Sequence, residues 1–272
     1  MKKLFVLMLM LGVASTASAS IDWLTSAASS DWFDAANWSN GVPSLTNLTN
    51  TRTYQTHANT SFMPIIQAGQ VAEVYQLDIG GERAADGGVP AAVVTVNAGG
   101  TLHTGDYLRI GSSSSSVRDG DLVLNNATLI CDNYMAVGYG TGTADVTGRL
   151  FANGATINVT NEVRFGNAAG TSGEAYLTGG TILTAASISW RPAGTSGTPT
   201  TLLDIINSTV ILTGDQYQAV IDAIDMGYIK SNGVDLDYGF VNFDGTNTII
   251  TPEPATLCLL GLGALSLIRR KK

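Results

Sequence analysis

Tyr107-Leu108-Arg109-Ile110-Gly111 returns as Tyr134-Met135-Ala136-Val137-Gly138, again as Glu162-Val163-Arg164-Phe165-Gly166, and then as Ser187-Ile188-Ser189-Trp190. An earlier partial copy stands at Gln76-Leu77-Asp78-Ile79-Gly80. Neighbouring residues of a strand point to opposite faces. Leu77, Leu108, Met135, Val163 and Ile188 therefore line up as one inward apolar column, and Ile79, Ile110, Val137, Phe165 and Trp190 as the next. Asp78, Arg109, Ala136, Arg164 and Ser189, between the columns, are expected to face water. The glycine closing each phrase (Gly80, Gly111, Gly138, Gly166) is expected at a corner, where a positive φ or close approach of coils excludes a Cβ.

A second phrase keeps step with the first: Gly100-Thr101-Leu102, Ala127-Thr128-Leu129, Ala155-Thr156-Ile157, Gly180-Thr181-Ile182 and Ser208-Thr209-Val210, with threonine spacings of 27, 28, 25 and 28. Two phrases locked in one register at a period of 25 to 31 residues predict an all-β fold, a right-handed parallel β-helix (solenoid) of about five to six coils with like residues stacked roughly 4.8 Å apart. An antiparallel sandwich, with strands recurring every 8 to 12 residues or so, has no need of locked copies. Ser112 to Ser116 and Ala168 to Gly173 read as loops leaving the coil. After Thr213-Gly214-Asp215, the residues Tyr217, Val220, Ile221 and Ile224 share one helical face and Gly227 stops it, which predicts a short C-terminal capping helix. Trp23, Trp32, Phe33 and Trp38 are expected to close the other end. The organisation is then a signal peptide at 1–19, an N-terminal cap at 20–70, solenoid repeats at 71–213, a C-terminal cap at 214–250 and a sorting anchor at 251–272.

Both ends carry export features. Lys2 and Lys3, an apolar run from Leu4 to Val13 and the small residues around Ala17 and Ala19 form a signal peptide cleaved after Ala19. At the other end Pro252-Glu253-Pro254 precedes an apolar run from Leu257 to Ile268 and the basic stop Arg269, Arg270, Lys271 and Lys272. Twelve helical residues span about 18 Å against a hydrocarbon core of about 30 Å, so the run is a weak anchor by itself. This tail resembles the PEP-CTERM sorting signal of Gram-negative, exopolysaccharide-producing bacteria. The resemblance implies recognition by an exosortase-like protease, removal of the tail, and release to the cell surface or extracellular matrix after transient inner-membrane anchoring. Signal peptidase is the other partner in export. Asp31-Trp32-Phe33-Asp34-Ala35-Ala36-Asn37-Trp38-Ser39-Asn40-Gly41-Val42-Pro43 is similar to the opening motif of large autotransporter-associated and PEP-CTERM β-solenoid proteins, families mostly uncharacterised or adhesin-like, and the resemblance supports the architecture more than an activity.

Setting both signals aside leaves eight cations against 21 acids, a net charge near −13. Phosphate recognition needs clustered Lys and Arg, so no nucleic-acid partner is expected. Membrane contact is expected only through the C-terminal segment. Cys131 has no partner once Cys258 leaves with the tail, so no disulfide framework holds the domain.

The catalytic, cofactor and metal inventories are read as empty. His57 and His103 are the only histidines, too few for a zinc set, and His103 reads as a surface position. No nucleophile elbow accompanies them. Asp119 and Asp121 are the best carboxylate pair for a glycosidase, and they read as solvated acids of a Gly-rich turn. Arg109 and Arg164, two coils apart, could embrace a uronate, with Ala136 between them. Asp235, Asp237 and Asp244-Gly245 lack calcium-loop spacing and read as turn acids. Outward Thr, Ser and Asn ladders and an outward apolar pair, Leu183 and Ile211, favour a structural or adhesive surface protein that is not an enzyme and contacts exopolysaccharide or other matrix proteins. The alternative is a polysaccharide lyase or glycoside hydrolase on a β-helix scaffold.

Overall fold

The computed structural model describes residues 20–24, 26–48, 50–55, 62–82, 92–113, 118–140, 146–167, 170–190 and 201–252. Each of the first five coils contributes one strand to each of three parallel ladders, and in the sixth a helix stands where the second-ladder strand would be. The first ladder stacks Val71–Val74, Thr101–Thr104, Thr128–Cys131, Thr156–Val159, Ile182–Ala185 and Thr209–Thr213, one strand for each of about six coils. The second carries the phrase that opens the repeat: Gln76–Glu82, Leu108–Ser113, Tyr134–Gly140, Glu162–Phe165 and Ser187–Trp190. The third runs from Ile65–Ile66 through Ala92–Val96, Arg118–Asn125, Val146–Asn153 and Thr171–Thr178 to Thr201–Ile205 and Ile229–Ser231. The protein is a β-solenoid.

The inward columns of the second ladder form as expected: Leu77, Leu108, Met135, Val163 and Ile188 are register partners, as are Ile79, Ile110, Val137, Phe165 and Trp190. All are fully buried except Ile188 and Trp190, which pack partly buried at the end of the stack. Leu102, Leu129, Ile157, Leu183 and Val210 form the matching column of the first ladder. Each such side chain contributes roughly 1.5–3 kcal/mol by leaving water, and stacking shares that gain between neighbouring coils. Phe165 and Trp190 stack at 4.8 Å inside, and Tyr228 continues the pile at 5.6 Å from Trp190.

A tight corner joins the second ladder to the third. Gly138 adopts φ +77, and a Cβ there would lie 2.2 Å from the Ser172 carbonyl oxygen. On the facing strand, a Cβ on Gly148 would lie 2.0 Å from the Ile110 carbonyl. Two glycine columns thus meet backbone to backbone, the first (Gly111, Gly138, Gly166) anticipated from sequence and the second (Gly120, Gly148, Gly173) not, while Gly80, expected at the same corner, does not take a positive φ. Because strands continue through this corner, Ser112, Thr171 and Ser172 belong to the ladders and are not loop residues, and Ser112 and Thr171 are buried. Residues 114–117 and 168–169 lie outside the described residues.

In the fifth coil the sequence alignment slips by one. Gly179 and Gly180 both take positive φ and hold Thr181 in the turn, where its hydroxyl donates to the Thr178 carbonyl at 2.7 Å. The strand starts at Ile182, so Leu183 pairs with Ile157 and is 1% exposed, whereas Ile182 is 43% exposed. The outward pair Leu183–Ile211 therefore does not form. Ile211 stands opposite Thr184.

Parallel pairing reaches N-terminal of residue 71, since Asn50–Gln55 lies beside Gln76–Glu82 and Ile21–Asp22 beside Asn50–Gln55. The N-terminal motif is a tryptophan cluster: Trp38 meets Trp23 at 4.9 Å and Trp32 at 4.8 Å, both edge to face. Asp34 caps the 3-10 turn Ala35–Asn37 by accepting from the Ala36 N–H, and buried Asn37 donates to Ser29 and to the Asp31 carbonyl. Phe33 points outward. At the other end the helix Tyr217–Asp225 buries Val220, Ala223 and Ile224, while Tyr217 is exposed at its first turn and does not join the apolar face. The strands Val241–Phe243 and Asn247–Ile250 then turn antiparallel and finish the first ladder.

Candidate functional site

The outer face of the second ladder carries an axial charge ladder. Asp22, Arg52, Asp78, Arg109, Ala136, Arg164 and Ser189 are successive register partners. This column does not simply face water: the Asp78 side chain is 2% exposed and forms a two-point ion pair with Arg109, one arm at 2.7 Å. Burial works against the Arg109 charge, but the Asp78 carboxylate outweighs it and pushes the guanidinium's pKa upward. The Arg109 guanidinium lies 4.1 Å from the centre of the Tyr107 ring and 4.5 Å from that of Tyr139, and it donates to the Tyr107 hydroxyl at 2.7 Å. Arg164 lies 4.2 Å over Tyr134 and pairs with Glu162. Tyr107 and Tyr134 stack at 5.6 Å. Cation–π contacts and ion pairs thus commit both arginines to their own coil neighbours. Ala136 beneath them is buried.

At the corner between the first and second ladders an amide chain crosses four coils. Gln76 donates to Asp106 at 2.7 Å, Asn133 donates to Asp106 at 2.7 Å, and Asn161 donates to Asn133 at 2.9 Å. On the first ladder His103 is partly buried, its Nε2 2.9 Å from Asp132 and its Nδ1 4.0 Å from Glu73. The carboxylate partners were missed in the sequence, although Glu73 and Asp132 follow from the coil period. His57 lies outside the described residues.

Asp119 and Asp121 are in the strand Arg118–Asn125 and not in a turn. Asp121 binds Arg149 at 2.7 and 3.0 Å, and Asp119 accepts from the Thr147 N–H at 3.2 Å. Beside them Phe151 and Tyr176 stack at 5.4 Å. The Tyr176 hydroxyl donates to Glu174 at 2.8 Å, and burial together with that bond pushes its pKa up to about 12. Cys131 is buried, and burial raises its thiol pKa, away from the reactive thiolate.

On the C-terminal cap an open cleft of about 320 Å³ is lined by Ile224, Asp225, Asp235, Leu236, Asp237 and Tyr238. Asp237 accepts from the Gly239 N–H, and Asp244 accepts from the Thr246 and Asn247 N–H groups at 2.8 Å each. Those backbone bonds hold the Asp244 carboxyl below its usual pKa. Among the described residues no three His, Cys, Asp or Glu side chains converge as a metal-ligand set.

Residues 251–272 match the PEP-CTERM protein-sorting motif. The protein is a β-solenoid carrying a PEP-CTERM signal, and such a signal directs an exported protein through exosortase processing to the surface or the extracellular space. No curated protein and no solved structure matches the chain. Of the motif, Pro252 is described and buried. Ala17, Ala19, Glu253, Pro254, Arg269, Arg270, Lys271 and Lys272 lie outside the described residues. No helix among the described residues is long and apolar enough to cross a membrane.

Proposed function

We propose that the exported solenoid is a structural or adhesive component of the cell surface or matrix, without catalytic activity or cofactor. The apolar run from Leu257 to Ile268 holds it briefly in the inner membrane before release, and exopolysaccharide or another matrix protein is its ligand. The observation that carries this reading is the commitment of the outer side chains to one another in axial ladders. Arg109, Arg164 and Arg149 each have a carboxylate, and Asp119 and Asp121 are engaged within the sheet. Such a surface is rigid and repeats at about 4.8 Å, which suits many weak contacts along an extended polymer.

Incubating the mature chain with exopolysaccharide from its host tests this directly. Retention of the protein on the polymer, with no reducing or unsaturated sugar released, is expected. Release of such sugars would overturn the reading in favour of a lyase or hydrolase.

A further inference from the structure

The folded domain runs into the sorting motif without a spacer. Strand Asn247–Ile250 is paired on both edges, antiparallel to Thr209–Thr213 and to Val241–Phe243. Thr248 and Ile250 are fully buried, and the Thr248 hydroxyl accepts from the Gln216 N–H at 2.7 Å while donating to the Gly214 carbonyl at 3.0 Å. Thr251 is still held, its N–H donating to the Phe240 carbonyl at 3.0 Å. Pro252, which opens the Pro-Glu-Pro motif, is itself buried. The five steps from Pro252 to the apolar run at Leu257 reach at most about 18 Å, so a protease at the membrane meets the cap itself.

An extended peptide is recognised through its free backbone edges, and a strand already paired on both sides offers none. We propose that removal of the tail is gated by the fold: strand Asn247–Ile250 must detach from the cap before the sorting protease engages the residues ahead of Pro252. Detachment is a local event, because this strand is the last described element, outside the parallel coils, and its release leaves the stacked coils intact. Terminal elements open far more readily than the whole domain.

The test follows processing of the full-length precursor in host membranes by mass spectrometry of the C-terminus. A flexible Gly-Ser insertion between Thr251 and Pro252 is expected to accelerate tail removal several-fold. Thr248→Val, which removes the two hydroxyl bonds, is expected to do the same to a smaller extent. Ile211→Cys with Ile249→Cys places thiols opposite each other in the antiparallel register, at a separation of about 4.5–5.5 Å that a disulfide can bridge. The oxidised variant is expected to stop at the precursor and resume on reduction, and adding the Gly-Ser insertion to it should restore processing without reductant. An insertion that leaves the rate unchanged, or a cross-linked precursor processed at the native rate, would overturn the gate.

Discussion

The second ladder and the C-terminal cap solve the same problem, ending exposed strand edges, by opposite means. In the ladder every strand finds an in-register parallel copy, and specificity comes from backbone contact at the glycine corner and from charges alternating along the axis. In the cap the repeat stops, a helix covers the last coil, and antiparallel strands finish the sheet. Repetition makes a region rigid and legible, whereas termination requires residues unlike their predecessors.

Glycine substitutions should separate the two regions most sharply. Gly148→Ala forces a Cβ to 2.0 Å from one backbone atom and 2.3 Å from another, neither of which can move without shifting a coil. A loss of about 4 kcal/mol or outright failure to fold is expected in denaturant titration. In the cap, Gly233 has φ +74 and open space around it, so Gly233→Ala should cost only about 1–2 kcal/mol, the backbone strain alone. Equal costs at the two sites would contradict the close-packed corner.

The charge ladder gives the next contrast. Asp78→Ala leaves Arg109, whose side chain is 16% exposed, without its buried partner, and about 3 kcal/mol should be lost. Arg149→Ala removes an arginine that is 36% exposed, and less than about 1 kcal/mol should follow.

The smallest effect is a pH dependence. The pKa of Tyr176 is raised in the fold, so its contribution to stability is complete below the ordinary tyrosine value of about 10 and is lost as pH rises through about 12. Absorbance titration of the protein against Tyr176→Phe should show this phenol ionising near the upper value. Ionisation at the ordinary value would contradict both the burial of this phenol and its bond to Glu174.

What could be read in advance followed the strength of the repeat. The columns through Leu108 and Ile110 were legible because the alternation of strand faces and the closing glycine reinforce each other. The Leu183 column was misjudged since Gly179-Gly180 absorbs a residue in the turn, a backbone event that keeps the Gly-Thr-aliphatic wording intact. The third ladder went unread. Its inward residues vary from Ala152 to Leu203 in size, and its glycines trail the first column by 9, 10 and 7 residues, so loops of unequal length hide the register. At the surface, the arginines were found but not their partners. Asp78 lies one coil from Arg109, and only the three-dimensional packing turns these two column positions from water-facing into a buried ion pair. The sorting motif was legible from its residues alone, as Pro-Glu-Pro, apolar run and basic stop are contiguous.

Spin-label distances along the first ladder test the stacked register most directly. Labels at Glu73 paired in turn with Asn158, Thr184 and Ile211, which occupy equivalent positions three, four and five coils on, should give backbone separations of roughly 14, 19 and 24 Å, one strand spacing per coil. Separations that fail to grow with coil number would contradict the solenoid and everything derived from it.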